Sequence, residues 1–538
     1  MKILLVQAKP KTGDLDYNFN LIDEAYALAK STCVDLCIFP ELVSTGYMCL
    51  DLFLKPSFIL ALEAKIAELV KTIGSTALIL PTPYREDGKL FNAVLAIQNQ
   101  KIIGKSFKKN LPNYGIYDEK RYFTSGEPSI IEINGKKFGM PICEDIWSLE
   151  TCMQLERLGA EILLVPNASA YEKEKMAERL SVAKQIFDST NLPLIYCNSV
   201  FAQDGVIFDG SSFVYDGNIK YSLPMFRQAT EIIEVKGNNQ IIGNPVSILP
   251  KVSKEEEIYC AMVFGLREYL QNNNFTSVTI GLSGGIDSAL VTAIAVDAIG
   301  ASNVTSIMLP SKFTSNESTE DAASIAKMLN ITYKIIPIND VVELMHSIVG
   351  SLSDLAAENL QARARGVILM AISNSTNSLL LTTGNKSEIA TGYATLYGDM
   401  CGAFNPIKDI YKTELIKIAQ FRNSNIPALI DIKNHSCPVM PDRVITKPPS
   451  AELRDSQKDS DYLPEYDVLD QVLNLYIEQD LGIEEIKARG FDEQLAEKIV
   501  QLVKNSEFKR YQSAPGVKLS IRAFGRDRRY PITHGFNG

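Results

Sequence analysis

The chain has 538 residues and a formal net charge of −10, with 46% hydrophobic and 22% charged residues. This composition is typical of a globular protein, and its acidic balance argues against non-specific nucleic-acid binding. The length predicts two large domains, and no apolar run approaches the ~20 residues that a membrane helix needs.

The first half alternates short β-branched runs with amphipathic stretches. Strands are predicted at Lys2–Gln7 and Asp35–Phe39, with a helix at Asn18–Lys30 between them. Later runs such as FGMPIC and LPLIYC include hairpin-connected pairs, so the sheet should be mixed. We expect an α/β/β/α sandwich over residues 1–236.

The pattern breaks at GNNQIIGNPVSILPK, and residues 237–254 are interpreted as a linker. A second domain is expected over residues 255–538, with a helix beginning at Ser253 and regular β-α-β spacing after it. That spacing predicts a doubly wound parallel sheet. The polar stretch 447–464 is either a disordered insertion or a functional loop.

The sequence contains only three histidines, His346, His435 and His534, so a metal site or a proton-transfer pair built on histidine is not favoured. Nine cysteines occur without a CxxC pair, and the apolar run in MKILLVQAKP is too short for a secretory signal. These features predict reduced thiols and a cytoplasmic protein. A basic cluster near the C-terminus is either a solvated tail or an anion-contacting segment, and it comprises Arg522, Arg526, Arg528 and Arg529.

The motif GLSGGIDSAL lies between a predicted strand and a predicted helix, where open α/β sheets bind ligands. Its double glycine lets the backbone approach a phosphate, and the helix N-terminus presents N–H groups. Asp287 would repel a bare phosphate, so it favours a bridging Mg²⁺. The GxxxxGK[ST] pattern is absent. The predicted ATP-binding residues of this loop are Gly281, Leu282, Ser283, Gly284, Gly285, Ile286, Asp287 and Ser288.

The motif resembles the SGGxDS pyrophosphate loop of the ATP pyrophosphatase superfamily, whose members cleave ATP between the α and β phosphates. Four downstream segments resemble NAD synthetases, namely ENLQARARG, LTTGNKSEIATGYATLYGDM, PPSAELR and RAFGRDRRYPIT. The resemblance implies an adenine nucleotide α-hydrolase-like domain in which Thr383 and Lys412 contact ATP, and Asp287 and Glu388 hold Mg²⁺. The deamido-NAD contacts that it implies are Asn359, Arg363, Glu388 and Lys509.

Two residues depart from the pattern of that family. Ala403 stands where a second glycine is expected, and Tyr511 stands where an arginine is expected. Neither residue belongs to the phosphate loop. The two departures therefore concern local contacts with the substrate and not the binding of phosphate.

A nucleophile is available in the first half as Cys143, which ends the run FGMPIC. No histidine precedes His346, so another group must activate this thiol. Glu41 ends LCIFPE, and Lys108 begins the loop KKNLPNYG after the residues SF. Lys105 and Lys109 compete for the lysine role, but the spacing to LPNY favours Lys108.

The segments FPEL, KxxLPNYG and ICEDIW resemble the glutaminase branch of the nitrilase family. The resemblance implies that Glu41 is the general base, that Lys108 stabilises the oxyanion and that Cys143 forms a thioester. Glu119 would be the supporting second glutamate. The glutamine contacts that it implies are Tyr114, Ser169 and Lys175.

Together these resemblances imply that deamido-NAD is amidated to NAD with ATP and glutamine as co-substrates. A homo-oligomer is expected, without a nucleic-acid or membrane partner. One alternative is another ATP pyrophosphatase-type amidotransferase, such as GMP or asparagine synthetase. Their glutaminases use a Cys-His-Glu triad or an N-terminal cysteine, whereas this sequence begins Met1-Lys2 and has no histidine before His346. The other alternative is a catalytically silent nucleotide-binding regulator, against which the intact candidate residues argue.

Overall fold

The structure is a computed structural model that describes residues 1–237, 239–242 and 252–536. The chain divides into two units, Met1–Gln203 with Ile207–Lys251, and Asp204–Val206 with Val252–Gly538. Most of the predicted linker, residues 238 and 243–251, lies outside the described residues. Over the part that is described, no helix has both the length and the apolarity that crossing a membrane requires.

The first unit is built from two mixed sheets and four covering helices within its described part. Its strands are β1 Lys2–Gln7, β2 Leu36–Ile38, β3 Ala77–Glu86, β4 Lys89–Gln98, β5 Lys101–Phe107, β6 Ile130–Ile133, β7 Lys136–Gly139, β8 Ile162–Asn167, β9 Leu194–Asn198, β10 Val200–Gln203, β11 Val206–Asp209, β12 Phe213–Tyr215, β13 Ile219–Ser222, β14 Ala229–Val235 and β15 Ile241–Ile242. Its helices are α1 Leu15–Ser31, α2 Pro56–Thr72, α3 Leu149–Arg157 and α4 Lys175–Thr190.

The strand order explains the layers of this unit. One sheet runs β15-β14-β1-β2-β3-β4-β5, the other runs β13-β12-β9-β8-β7-β6, and β10 pairs with β11. Apolar residues such as Ile79 and Leu164 pack between the two sheets. Helices α1 and α2 cover the outer face of the first sheet through residues such as Ile22 and Leu62, and α3 and α4 cover the second sheet. The predicted α/β/β/α sandwich is confirmed.

The second unit begins with a helix whose N-cap is Ser253, which accepts a hydrogen bond from the Glu256 N–H at 3.1 Å. Its strands are β16 Val278–Gly281, β17 Val304–Met308, β18 Thr332–Ile335 and β19 Leu379–Leu381. Its helices are α5 Lys254–Asn272, α6 Ile286–Ile299, α7 Asn316–Met328, α8 Asn339–Val349, α9 Asp354–Thr376, α10 Lys386–Thr391, α11 Lys412–Ser424, α12 Asp442–Thr446, α13 Tyr466–Leu473, α14 Ile483–Ala488, α15 Glu493–Asn505 and α16 Glu507–Arg510.

The sheet of the second unit is parallel, with the order β18-β17-β16-β19. The chain proceeds from β16 through β17 to β18 and then returns through α9 to β19, on the other side of β16. The strand order therefore reverses at β16, which makes its carboxyl end the expected ligand crevice. The predicted doubly wound parallel sheet is confirmed.

The basic cluster near the C-terminus forms ion pairs within the second unit. Arg522 contacts Asp480 at 2.6 Å, and Arg528 contacts Glu507 at 2.6 Å. Arg529 donates through Nε to the carbonyl oxygen of Arg526 at 2.8 Å. Two of these arginines are therefore neutralised by carboxylates of their own unit.

Lys408 gives a pH-dependent contribution to stability. Its buried Nζ donates to the carbonyl oxygen of Ala514 at 2.7 Å, and burial lowers its pKa to about 8 against the opposing charge of Asp409. The folded chain therefore releases this proton near pH 8, but the unfolded chain keeps it to about 10.5. Because the unfolded state then binds more protons, the free energy of unfolding should gain up to about 3 kcal/mol across that window.

Urea unfolding of the wild type and Lys408→Met between pH 7 and 10 checks this prediction. The stability of the wild type relative to the variant should rise with pH, because the variant has no proton to release at this site. A difference that stays constant over the range would contradict it.

Candidate active sites

The first candidate site lies where several strands of the first unit end. Glu41 follows β2, Lys108 follows β5 directly, and Cys143 begins a 3₁₀ turn over Cys143–Trp147. Cys143 has a φ of 45°, in the left-handed region that a non-glycine residue rarely adopts. Such strain is held by the surrounding structure and is frequent at functional positions.

Lys108 joins the two glutamates of the site. Its Nζ lies 2.7 Å from Oε1 of Glu41 and 2.6 Å from Oε1 of Glu119, and the lysine side chain is fully buried. Asn92 donates through Nδ2 to Oε1 of Glu41 at 2.7 Å, and the Ala168 N–H donates to its Oε2 at 3.0 Å. Glu41 is therefore fixed by donors on both oxygens.

The charges of this cluster control the protonation of Cys143. Burial raises the pKa of the thiol well above its ordinary value, the Glu41 charge adds to this, and Lys108 opposes it. The thiol is therefore protonated at rest and needs a base at the moment of attack. Burial would lower the pKa of Lys108, but the charges of Glu119 and Glu41 outweigh it and raise that pKa well above its ordinary value. Lys108 therefore stays cationic.

Glu119 differs from Glu41 in its surroundings. Tyr47 donates a hydrogen bond to Oε1 of Glu119, beside the contact from Lys108. Burial raises the pKa of Glu119 to about 7, with Lys108 opposing and Glu41 adding to the shift. This second glutamate is therefore suited to holding the lysine in place.

The three predicted glutamine-binding residues each have a protein partner. Tyr114 is 59% exposed, and its hydroxyl donates to the Glu144 carboxylate, next to Cys143, at 2.9 and 3.0 Å. Ser169 Oγ accepts from Arg179 Nε at 3.2 Å. Lys175 pairs with a neighbouring glutamate, and its Nζ lies 4.9 Å from the centroid of the Trp147 ring. Glu144 and Trp147 thus link Tyr114 and Lys175 to the turn that begins at Cys143.

The second candidate site is a cavity of about 320 Å³ at the carboxyl end of β16. All eight predicted residues of the 281–288 loop line it, together with Thr383, Glu388 and Lys412. Gly284 has a φ of +85°, and a Cβ atom there would lie 2.2 Å from the carbonyl oxygen of Ser318. Only glycine therefore allows this turn to pass so close to α7.

Opposite charges meet inside this cavity. Lys412 Nζ forms an ion pair with Asp287, and Asn385 Nδ2 donates to Oδ1 of Asp287 at 2.9 Å. Burial, followed by the charge of Asp287, raises the pKa of Glu388 well above its ordinary value, and Lys412 opposes this. The two acids therefore repel each other beside Lys412, and an additional cation would relieve that repulsion.

The other predicted deamido-NAD residues meet at one turn, residues 392–396. Asn359 Oδ1 accepts from Thr395 Oγ1 at 2.8 Å. Arg363 Nε donates to the carbonyl oxygen of Leu396 at 3.2 Å. Lys509 Nζ donates to the carbonyl oxygens of Gly392 and Ala394, each at 2.7 Å. None of the three side chains lines the 320 Å³ cavity, whereas Ala394 of the turn does.

Sequence reasoning missed Arg365, which lines the cavity with Ala362, Gly366 and Leu369. Burial lowers the pKa of Arg365 to about 10. The spacing of these four residues follows one face of α9 and was available in the sequence. The predicted pair Asn359 and Arg363 lies at the same helical spacing, so spacing alone does not decide which face borders the cavity.

The polar stretch 447–464 also borders the cavity. Residues 447–453 and Asp459 line it, and Glu452 accepts from Ser318 Oγ at 2.8 Å. This position favours the functional-loop interpretation of the stretch.

The two residues that depart from the family pattern form hydrogen bonds with the backbone. The Tyr511 hydroxyl donates to the Tyr530 carbonyl oxygen at 3.3 Å, and the Ala403 N–H donates to the Leu380 carbonyl oxygen at 2.8 Å.

The sequence matches two family models, Carbon-nitrogen hydrolase over residues 2–235 and NAD synthase over residues 258–513. A protein named glutamine-dependent NAD(+) synthetase from Acinetobacter baylyi is 42% identical, and the match covers 99% of this chain and 98% of the relative. A structure described as glutamine-dependent NAD+ synthetase from Acinetobacter baumannii in complex with ADP is 40% identical, with a TM-score of 0.78 and coverage of 99% and 98%.

A further structure, of a glutamine-dependent NAD(+) synthetase from Cytophaga hutchinsonii, has a TM-score of 0.83 at 20% identity and the same coverage of 99% and 98%, which shows the fold alone. The fold class of both units therefore agrees with these proteins. At 42% identity over nearly the full length of both sequences, the chain belongs to the glutamine-dependent NAD(+) synthetase family.

Proposed function

We propose that this chain amidates deamido-NAD to NAD, with glutamine as nitrogen donor and ATP converted to AMP and pyrophosphate. The observation that carries the proposal is the presence of two complete sets of chemical groups in one chain. Buried Cys143, Glu41 and Lys108 stand together in the first unit. The 281–288 loop lines a cavity with Lys412 and Glu388 in the second unit.

In the first site, Glu41 takes the thiol proton as the sulfur of Cys143 attacks the amide carbon of glutamine. Negative charge then develops on the carbonyl oxygen, where cationic Lys108 stabilises it. Ammonia leaves with the proton from Glu41, and a thioester remains. Water attacks this thioester as Glu41 accepts its proton, the bond between carbon and sulfur breaks, and Glu41 returns the proton to the sulfur of Cys143. The products are glutamate and ammonia.

In the second site, the carboxylate of deamido-NAD attacks the α-phosphorus of ATP, and pyrophosphate leaves. The 281–288 loop suits the leaving group, since the N-terminus of α6 presents backbone N–H groups to an anion. Lys412 supplies a positive charge in the same cavity. Ammonia then attacks the adenylated carbonyl carbon, AMP departs, and the amide of NAD is formed.

Asp287 and Glu388 fit a magnesium ion. Their oxygen ligands are of the type that Mg²⁺ prefers, and their mutual repulsion is one cause of the raised pKa of Glu388. Within the described ranges no three acidic, histidine or cysteine side chains form a metal cage of their own. Two carboxylates with nucleotide phosphates are a usual arrangement for Mg²⁺. When bound, the ion would neutralise charge on the phosphates.

The products formed by the full-length chain test this function. Deamido-NAD, ATP, Mg²⁺ and glutamine should yield NAD, glutamate, AMP and pyrophosphate in equal amounts. ADP and inorganic phosphate in place of AMP and pyrophosphate would reject the ATP pyrophosphatase chemistry. Nucleotide binding without any product would instead favour a silent regulator.

A homo-oligomer is part of this proposal, and the exposed apolar face of α8 supports it. No residue of this helix is buried, and Leu344, Ile348 and Val349 are exposed by 62%, 75% and 62%. Leu355 at the start of α9 is 66% exposed. Exposed apolar side chains grouped in this way mark an interaction surface. A second copy related by a two-fold axis would place the patch against itself.

The double variant Leu344→Glu/Ile348→Glu should therefore sediment as a smaller species than the wild type at the same concentration. The reason is that burying two carboxylates in an apolar contact is unfavourable. Leu60→Glu, at an exposed position on α2 of the other unit, is the matched control and should leave the mass unchanged. Equal sedimentation of the double variant and wild type would reject this surface as the interface.

A further inference from the structure

Asp145 lies two residues after Cys143 and is fully buried. Three backbone N–H groups donate to its carboxylate. Oδ1 accepts from Asn110 at 2.7 Å and from Lys109 at 3.1 Å, and Oδ2 accepts from Ile142 at 3.0 Å. Burial raises the pKa of Asp145 to about 6 and the backbone donors oppose it, so the group is a carboxylate at neutral pH.

The three donors belong to two separate segments of the first site. Lys109 and Asn110 directly follow Lys108, and Ile142 directly precedes Cys143. One carboxylate therefore holds the backbone beside both reacting side chains. The same turn contains the unfavourable φ of 45° at Cys143, which persists only where neighbouring contacts fix it.

We propose that Asp145 is a positioning residue for glutamine hydrolysis, which sets the place of Cys143 relative to Lys108. The inference rests on the proposed glutaminase function of Cys143. A carboxylate is required because both of its oxygens accept hydrogen bonds, Oδ1 from Lys109 and Asn110 and Oδ2 from Ile142. In an asparagine at this position, whichever way the amide lies, its NH₂ group would face a backbone N–H donor and one segment would be released.

Asp145→Asn tests the inference by steady-state kinetics with glutamine and, separately, with ammonium. We expect kcat with glutamine to fall about 10- to 100-fold, because small misplacement of reacting groups is costly. The KM for glutamine should stay within about two-fold, since Asp145 faces the backbone and not the substrate. Ammonium-driven synthesis should be unchanged. Asp145→Glu, which keeps both oxygens but displaces them, should also lower kcat with KM preserved.

Asp188→Asn makes the same chemical change on the exposed surface of α4 and should behave as wild type. Three results would overturn the inference: an unchanged kcat in both Asp145 variants, a rise in KM alone, or an equal loss with glutamine and ammonium. The Cys143→Ala variant separates this inference from the function beneath it. If Cys143→Ala retains glutamine-driven synthesis, the proposed glutaminase fails. If Cys143→Ala loses glutamine-driven synthesis and Asp145→Asn retains it, the positioning role of Asp145 fails and the glutaminase function stands.

Discussion

Cys143→Ala is expected to abolish glutamine-driven NAD synthesis while leaving ammonium-driven synthesis at the wild-type rate. The substitution removes the sulfur that forms the thioester, so the proposed hydrolysis cannot begin. A loss on the order of 10³-fold or more in kcat with glutamine is typical for a deleted nucleophile. Added ammonium bypasses this step, because the second unit keeps its own cavity and ATP loop.

The two rates are measured with deamido-NAD and ATP in excess, with either glutamine or ammonium chloride as nitrogen source. Cys33→Ala is the matched control, since it removes an exposed thiol of the same unit. Equal loss with both nitrogen sources in a folded Cys143→Ala variant would contradict the assignment of separate reactions to the two units.

Asp287→Asn is expected to stop synthesis from either nitrogen source. The substitution removes one of the two proposed Mg²⁺ ligands and leaves the buried ammonium of Lys412 without its ion-pair partner. Both effects act on the phosphates of ATP, before ammonia is needed. A loss on the order of 10²- to 10³-fold is expected from removal of one electrostatic group at a reacting phosphate.

Pyrophosphate release with ammonium as nitrogen source gives the direct measurement for this variant. Asp467→Asn, at an exposed position on α13, is the control for the same chemical change. Retention of more than about half of the wild-type rate in Asp287→Asn would remove Asp287 from the phosphate chemistry. Such a result would also remove the case for Mg²⁺ at this position.

Local patterns in the sequence identified much of the second site. The SGGIDS loop is recognisable because strand, double glycine and helix are consecutive, and the predicted helix after the loop is α6, Ile286–Ile299. Local patterns could not show which arginine of α9, Arg363 or Arg365, lines the cavity. Helical spacing fixes which residues share a face, but the rotation of α9 against β16 decides which face borders the cavity.

The first site depends on contacts that are remote in sequence. Lys108 and Glu41 are separated by 67 positions, and they follow β2 and β5, two strands of one sheet that have β3 and β4 between them. The supporting residue Asn92 is a polar residue within an otherwise apolar part of β4, which is a detectable signal. The hydrogen bond from Arg179 to Ser169 could not be predicted from the sequence, because an arginine on an amphipathic helix such as α4 is usually a surface residue.

The central claim is that the amide nitrogen of glutamine becomes the amide nitrogen of NAD. Incubation of the full-length chain with amide-¹⁵N glutamine, deamido-NAD and ATP, without added ammonium, tests it most directly by mass spectrometry of the product. We predict NAD that carries ¹⁵N in its carboxamide, and none of this product from Cys143→Ala. Unlabelled NAD, or labelled NAD formed equally by Cys143→Ala, would contradict the account.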